Sequence, residues 1–488
     1  MNEKKEDIIN LYEFCNLENY KGDKALLKSL LDEIWQKRQN LIPIDINTSE
    51  VTNYDRVIAS EQKFITFKED QIKSRNYVGV VKFEHFTINL LPKIFFSGKK
   101  ENTTKLEVEA IQANILWWLS YCRKIRFPKY KSNLNSIKSN FFDILIFIFA
   151  QYTRESFSHC LLQAYDEVSN ELSFMKGRLD VNSYITNNLS KGNWHKLSCT
   201  YDSFEFDNHF NRIVKYVAKL LFRATESREN KKLLSEILFI LDEVSDVFVT
   251  YEDCHKVKLN PLFEDFNIIL DYCKLFLANS ITFSYKNQFK VFAFLLPMEY
   301  IFEDFFYGFF KKHQNGKGQI QNLSSQKSDL YLAKLFENNS LVKSNVFNMK
   351  HDIYFEHLNR KVIVDLKYKI AYSKDAFNNN QKYKHGVSQN DLYQVVSYAI
   401  RREVTEVYIV YPHTLSSQFS NDINGEKSVK FIVHDSLSGK DIAINIVKVP
   451  IIHSDFPNMD KNCTLQENFI NSEKLLISQI NERLSLIY

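Results

Sequence analysis

At 488 residues the chain is too long for one compact core, so two or three domains are expected. Hydrophobic residues at 44% and charged residues at 25% give the balance of a folded soluble protein. The formal net charge of +4 sets 63 basic against 59 acidic residues, which excludes nucleic-acid binding by overall charge and leaves only a local basic face for it.

Cys15, Cys122, Cys160, Cys199, Cys254, Cys273 and Cys463 are odd in number and never fall in a CxxC pair. That argues against a disulfide framework or a zinc site and for reduced thiols in a cytoplasmic protein. The charged start lacks the apolar stretch of a signal peptide. The apolar run from Phe141 to Ala150 is too short to span a bilayer, and the run from Val291 to Phe310 carries Glu299, Glu303 and Asp304. A soluble cytoplasmic chain with no membrane partner is expected.

In chain order, residues 42 to 96 mix short β-rich runs with polar turns. The clearest is a hairpin, Tyr77-Val-Gly-Val-Val-Lys-Phe and Phe86-Thr-Ile-Asn-Leu-Leu-Pro-Lys-Ile, turning near Glu84-His85. From about 103 to 285 apolar residues recur at helical steps, in Val108 to Cys122, Phe141 to Val168, Phe210 to Ala224 and Lys232 to Val247. A β-leaning interruption at 172 to 202 contains Gly177-Arg-Leu-Asp180.

After a helix at about 297 to 313, a Gly/Gln/Ser/Asn-rich stretch covers 314 to 328. Strands are expected at 352–356, 361–368, 406–412, 429–434 and 442–449, with a helix at 389–402 and a last one at 466–485. The fold class is therefore α+β and multidomain: a small β-rich domain (1–102), a mainly helical middle (103–285) and an α/β domain with a mixed sheet (286–488).

Several chemistries lose their usual anchors. There is no GxxxxGK[ST], so this chain is not itself a P-loop NTPase, and no HExxH, GxSxG or strand-linked GxGxxG. What remains is Lys350-His-Asp352-Ile-Tyr-Phe followed by Lys361-Val-Ile-Val-Asp365-Leu-Lys367-Tyr-Lys. The 12 residues between Asp352 and Asp365 suffice for a strand, a turn at Leu358-Asn359 and a returning strand. Both carboxylates would then reach one end of a sheet, with Asp365 and Lys367 on one face.

Two carboxylates suit Mg²⁺, which binds through one or two of them plus waters and phosphate. A neighbouring lysine can orient the attacking water. The half-motif alone is weak, since Glu61-Gln-Lys63 and Glu229-Asn-Lys231 repeat it. An acid and a lysine in a β-branched strand are less ordinary, although an exposed hairpin with a salt bridge remains open. The segment Arg360 to Lys384 offers a basic face for DNA, or simply a solvated loop.

Ser388-Gln-Asn-Asp391 reads as a helix start. Behind it, Gln394 and Tyr398 lie four apart and can point together at a neighbouring site, or be a surface Gln and a half-buried Tyr. On the helix near 300, Glu303 sits beside Phe302, Phe305 and Phe306, either as a third acid of the site or as a solvent-facing residue.

The pattern resembles the PD-(D/E)xK nuclease superfamily, and within it the McrC family, the nuclease subunit of McrBC 5-methylcytosine-dependent restriction systems. The similar stretches run in family order over about 330 residues: Val78-Gly-Val-Val, Ile88-Asn-Leu-Leu-Pro-Lys-Ile94, Met175-Lys-Gly-Arg-Leu-Asp180, Phe206-Asp-Asn-His-Phe-Asn211, Met298 to Phe306, Asp352…Asp365-Leu-Lys-Tyr-Lys369, Asp391-Leu-Tyr-Gln394-Val-Val-Ser-Tyr398 and Val410-Tyr-Pro412.

The resemblance implies that Asp352, Asp365 and Glu303 bind the metal, that Lys367 is the catalytic lysine, and that Gln394 and Tyr398 support the site. His351 stands where the family motif usually has proline. The resemblance also implies a Mg²⁺-dependent endonuclease acting on double-stranded DNA. Residues 1–102 and the middle region would dock on an AAA+ GTPase of the McrB type and stimulate its hydrolysis of GTP, which the partner and not this chain would use. Two other readings stay open: a sequence-specific enzyme protected by a methyltransferase, and a GTPase-activating adaptor that does not cut.

Overall fold

The computed structural model describes all residues except 1–6, 42–61, 84, 99–102, 123–140, 258, 260–263, 285–289, 314–319, 358–359, 371–383, 419–428, 437–438, 460–462, 464 and 484–488. The expected turn at Leu358-Asn359, the β-rich character of 42–61, and Lys374 and Lys382 lie outside the described residues. The chain forms two units, Met1–Phe141 with Phe283–Tyr488, and Phe142–Thr282.

The first unit starts with β1 (Asp7–Tyr12), β2 (Glu18–Asn19), α1 (Lys24–Leu41), β3 (Ile65–Lys68), β4 (Gln71–Ser74), β5 (Tyr77–Phe83) and β6 (Phe86–Leu91). β5 and β6 are the expected hairpin, with Val81 opposite Ile88. Every residue of β6 is buried, and β1 runs parallel beside it. Burial on both faces explains why this segment reads as a nearly continuous apolar run. Next, α2 (Lys105–Leu119) opens on a reciprocal cap: Thr104 Oγ1 accepts from the Glu107 N–H at 3.2 Å, and Glu107 Oε2 accepts from the Thr104 N–H at 2.8 Å.

The second unit contains α3 (Phe141–His159), the strands β7 (Ala164–Leu172), β8 (Arg178–Leu179) and β9 (Leu197–Glu205), and the helices α4 (His209–Ala224), α5 (Arg228–Ile240) and α6 (Glu264–Asn279). Its three strands pair in the order β7-β9-β8. The helix expected to run to Val168 instead stops at His159. There the Leu162 carbonyl is captured by the Asn208 and Asn211 side-chain amides at 3.0 and 2.9 Å. Two tertiary hydrogen bonds to a buried carbonyl replace the helical one, which local propensity cannot foresee.

Back in the first unit come β10 (Ser280–Ser284), β11 (Lys290–Pro297), α7 (Met298–His313), β12 (Ile320–Glu337), β13 (Ser340–His357), β14 (Arg360–Leu366), α8 (Gln389–Arg402), β15 (Glu406–Pro412), β16 (Val429–Asp435), β17 (Lys440–Val449) and α9 (Leu465–Arg483). β11 pairs antiparallel to β5 and completes a five-stranded sheet, β1-β6-β5-β11-β10. Gly79 faces this pairing at φ 140°, and a Cβ there would stand 2.0 Å from the Phe294 carbonyl oxygen, so only glycine fits.

The remaining strands form a six-stranded mixed sheet, β12-β13-β14-β15-β17-β16. β14, β15 and β17 are parallel, whereas β13 and β16 run against them. The β14-α8-β15 crossover is the element that parallel neighbours require. Ser388 caps α8 by accepting from the Asp391 N–H at 3.1 Å, and its apolar stripe packs Val395, Tyr398 and Ala399 into a core with Tyr354, Ile363, Val407 and Ile409. On α7, Phe310 meets Phe355 at a centroid distance of 5.7 Å.

The β12–β13 hairpin is the largest departure from expectation. The Gly/Gln/Ser/Asn-rich stretch at 314–328 overlaps the start of β12, β13 begins at Ser340, ahead of the strand expected at 352, and residues 340–345 are exposed. That outer part of the hairpin has no buried face and so lacks the alternation by which a strand is recognised, whereas Ile353, Tyr354 and Phe355 nearer its base are buried.

Candidate active site

The antiparallel register of β13 and β14 sets Ile353 against Val364 and Tyr354 against Ile363. Continuing this register by one step sets Asp352 against Asp365, on the sheet face of Tyr354 and Ile363, and the two carboxylates act on each other there. Asp365 belongs to the carboxyl end of β14, where open parallel sheets gather their ligands.

Asp365 is 1% exposed, and its Oδ2 lies 2.9 Å from Lys367 Nζ. Lys367 Nζ also donates to Gln394 Oε1 at 3.0 Å, Gln394 Nε2 donates to the Tyr398 hydroxyl at 2.9 Å, and that hydroxyl donates to the Lys350 carbonyl at 2.6 Å. A relay thus runs from β14 across α8 and back to β13, fixing the lysine. Asp352 Oδ2 accepts from the Leu366 N–H at 2.7 Å, which ties the two strand ends together.

The electrostatics are strained. Burial, then Asp365 and Glu303, hold the Asp352 carboxyl well above the usual carboxylate range. Burial likewise raises Asp365, against the opposing pull of Lys367. Burial acts to lower Lys367, but Asp365 beside it more than compensates and the ammonium is held above its ordinary value. A buried carboxylate, Asp365, and a half-buried one, Asp352, that both resist ionisation are what a cation would relieve.

Glu303 lies half-buried on α7, close enough to act on Asp352. Among the described residues, however, no group of three His, Cys, Asp or Glu side chains forms a ready cage for a metal ion. The donors present are the two facing carboxylates Asp352 and Asp365, and a hard cation such as Mg²⁺ takes one or two carboxylates and keeps several waters.

Sequence reading missed the Lys369–Asp391 pair, 2.9 Å apart, which fixes the segment after β14 to the first turn of α8. It also missed Tyr368, which is buried on the face opposite Lys367 and whose hydroxyl donates to Glu13 Oε2 at 3.0 Å. The alternation Lys367-Tyr368-Lys369 was the available signal. Buried His351 packs edge-on to Tyr354 and Tyr398, with centroids 5.8 and 6.2 Å away.

Fold and site together define a class: a mixed α/β sheet carrying a strained acid–acid–lysine centre at the carboxyl end of a parallel strand. A family model described as the McrBC 5-methylcytosine restriction system component matches residues 72–412, and the chain belongs to that family. A solved structure, the refined half-complex from the tetradecameric assembly of Thermococcus gammatolerans McrB AAA+ hexamers with bound McrC, resembles it with a TM-score of 0.60 at 18% identity, covering 96% of this chain and 99% of that one. The cryo-EM structure of the Thermococcus gammatolerans McrBC complex gives a TM-score of 0.45 at 20% identity, over 64% of this chain and 89% of that one. No curated protein matches. Among the described residues no helix is long and apolar enough to cross a membrane.

Proposed function

We propose that this chain is the Mg²⁺-dependent DNA endonuclease subunit of a GTP-dependent, 5-methylcytosine-directed restriction system, built on a PD-(D/E)xK nuclease domain. The observation that carries the reading is the strained pair Asp352 and Asp365 with Lys367 held between Asp365 and Gln394. Two facing carboxylates pushed towards protonation beside a fixed lysine are the kind of perturbed cluster that gathers at functional sites.

Asp352, Asp365 and Glu303 would hold the ion. Bound Mg²⁺ lowers the pKa of water and offsets charge on the phosphorane. Lys367, kept cationic by Asp365, is placed to orient the attacking water and a phosphate oxygen. Gln394 and Tyr398 limit the lysine to one rotamer, anchored on the Lys350 carbonyl. Asp391, held below the usual carboxylate range by Lys369 and Ser388 despite its burial, stays charged and keeps the second lysine aligned.

The likeness to an assembly of McrB AAA+ hexamers with bound McrC supports an AAA+ GTPase as the partner. The absence of a P-loop sequence here leaves GTP hydrolysis to that partner. The test is cleavage of methylated and unmethylated duplex DNA by the chain with its GTPase, with and without Mg²⁺. Asp365→Ala and Lys367→Ala should each stop cutting while the GTPase remains stimulated. Cleavage that survives both substitutions would sink the assignment.

A further inference from the structure

Three segments far apart in sequence meet at one buried carboxylate. Glu13 follows β1, and its N–H donates to the Leu91 carbonyl at 2.9 Å. Its Oε2 accepts from the Tyr368 hydroxyl at 3.0 Å and from the Lys93 backbone N–H at 3.2 Å. The Lys93 ammonium lies 4.3 Å from the Tyr368 ring centroid, a cation–π contact. Lys93 belongs to the Leu-Leu-Pro-Lys-Ile motif, to which the catalytic reading assigns no role.

Tyr368 is the shared member. It follows Lys367 directly, and its ring stands 5.6 Å from that of Phe302, the residue before Glu303. One side chain therefore joins two of the three chain segments that bring charge to the site, the end of β14 and helix α7. We propose that Glu13, Lys93 and Tyr368 act as positioning residues, holding the end of β14 and helix α7 at the separation the Asp352–Asp365–Lys367 centre needs. The inference rests on the nuclease reading of that centre. Catalytic side chains must be held within about 0.5 Å, so such a clamp has chemical consequences.

A plain anchor between sheets would not be built this way. Glu13 is 1% exposed, and among the described residues its Oε1 has no hydrogen-bond partner. An apolar residue would join the same surfaces at less cost. The groups acting on Glu13 are Lys93, Tyr368 and the more distant Glu299, and the Cys15 thiol donates to its carbonyl at 3.1 Å. Lys93 is in turn acted on by Glu299, Cys15 and Lys369. Burial pushes the Glu13 carboxyl up to about 7, so its charge, and its hold on the Tyr368 hydroxyl, changes across neutrality.

The experiment measures cleavage by the full complex with its GTPase across about pH 6 to 8.5, for wild type, Tyr368→Phe, Glu13→Gln and the double variant. Stimulation of the GTPase reports that each variant is folded. Tyr368→Phe should lower kcat about tenfold with little change in the KM for DNA. Glu13→Gln should remove a rate inflection near neutrality, and the second substitution should add little in its presence. Wild-type rates and an unaltered pH profile in both single variants would overturn the inference. A kcat loss in Tyr368→Phe that simply adds to that of Glu13→Gln, with the inflection intact, would also count against it. A wild-type complex that does not cut would instead remove the nuclease reading beneath it.

Discussion

Two polar motifs of this chain, one in each unit, look equally functional in sequence and differ sharply in structure. In Phe206-Asp-Asn-His-Phe-Asn-Arg212, Asp207 accepts from Arg212 Nε at 2.7 Å and from the Ser245 hydroxyl at 2.6 Å. Arg212 and Ser245 hold its carboxyl down at about 2 despite partial burial. Asn208 caps α4 by accepting from the Asn211 N–H at 3.0 Å. In the other unit, Asp352 and Asp365 are raised by burial and, for Asp352, by each other's charge. The first motif relaxes its charges and builds a helix start. The second stores repulsion beside a fixed lysine. Strain, more than polarity, separates a functional motif from a structural one.

The largest expected effect breaks this contrast if it fails. Lys367→Ala should reduce DNA cleavage about a thousandfold, the scale on which one preorganised electrostatic group matters. Asn208→Ala should leave the intrinsic cutting rate of folded protein intact and destabilise the second unit by about 1–2 kcal/mol through a lost cap and a lost bond to the Leu162 carbonyl. Thermal unfolding followed beside a cleavage assay separates the two. Equal loss of activity in both variants would erase the distinction.

The same contrast has a pH signature at Asp207. Its folded pKa is depressed, so its contribution to stability is complete above the unfolded carboxylate value and disappears as the pH falls through about 2. Acid unfolding of wild type and Asp207→Asn should therefore diverge above that range and converge below it.

Replacing a strained carboxylate should act in the opposite sense. Asp352→Asn removes one of two charges that repel each other in a buried place, and an amide oxygen can still accept from the Leu366 N–H. Metal-free protein should gain about 1 kcal/mol in stability while cleavage is lost, the trade expected at a catalytic site. Adding Mg²⁺ should raise the melting temperature of wild type and have little effect on the variant. A destabilised variant, or an equal metal effect in both, would show that Asp352 is only a tie between strands.

Much of this was legible beforehand because it is local. Val362-Ile-Val-Asp365 reads as a buried strand interrupted by an acid, and Ser388 with Asp391 reads as a helix start; the structure contains both features. Glu303 could be placed on an apolar helix, but its approach to Asp352 depends on how α7 packs, which no spacing encodes. Glu13 was beyond reach altogether, since its partner Tyr368 lies 355 positions away in sequence. The exposed outer part of the β12–β13 hairpin, residues 340–345 among it, was hidden for a different reason: with no core to face, it shows no buried and exposed alternation.

The smallest predicted effect tests whether the relay behind Lys367 is chemistry or packing. Tyr398→Phe keeps the buried ring among Val395, Ala399 and Ile363 but removes the hydroxyl that accepts from Gln394 and donates to the Lys350 carbonyl. One buried hydrogen bond is worth about 1 kcal/mol, so stability should fall by about that amount. If Gln394 is thereby freed to rotate, Lys367 loses its second anchor and kcat falls about fivefold, with the KM for DNA unchanged. Gln394→Ala should then produce a similar kcat loss, and the double variant should be little worse than either single one. Independent, additive losses would mean that the two side chains serve the fold separately and that Asp365 alone orients the lysine.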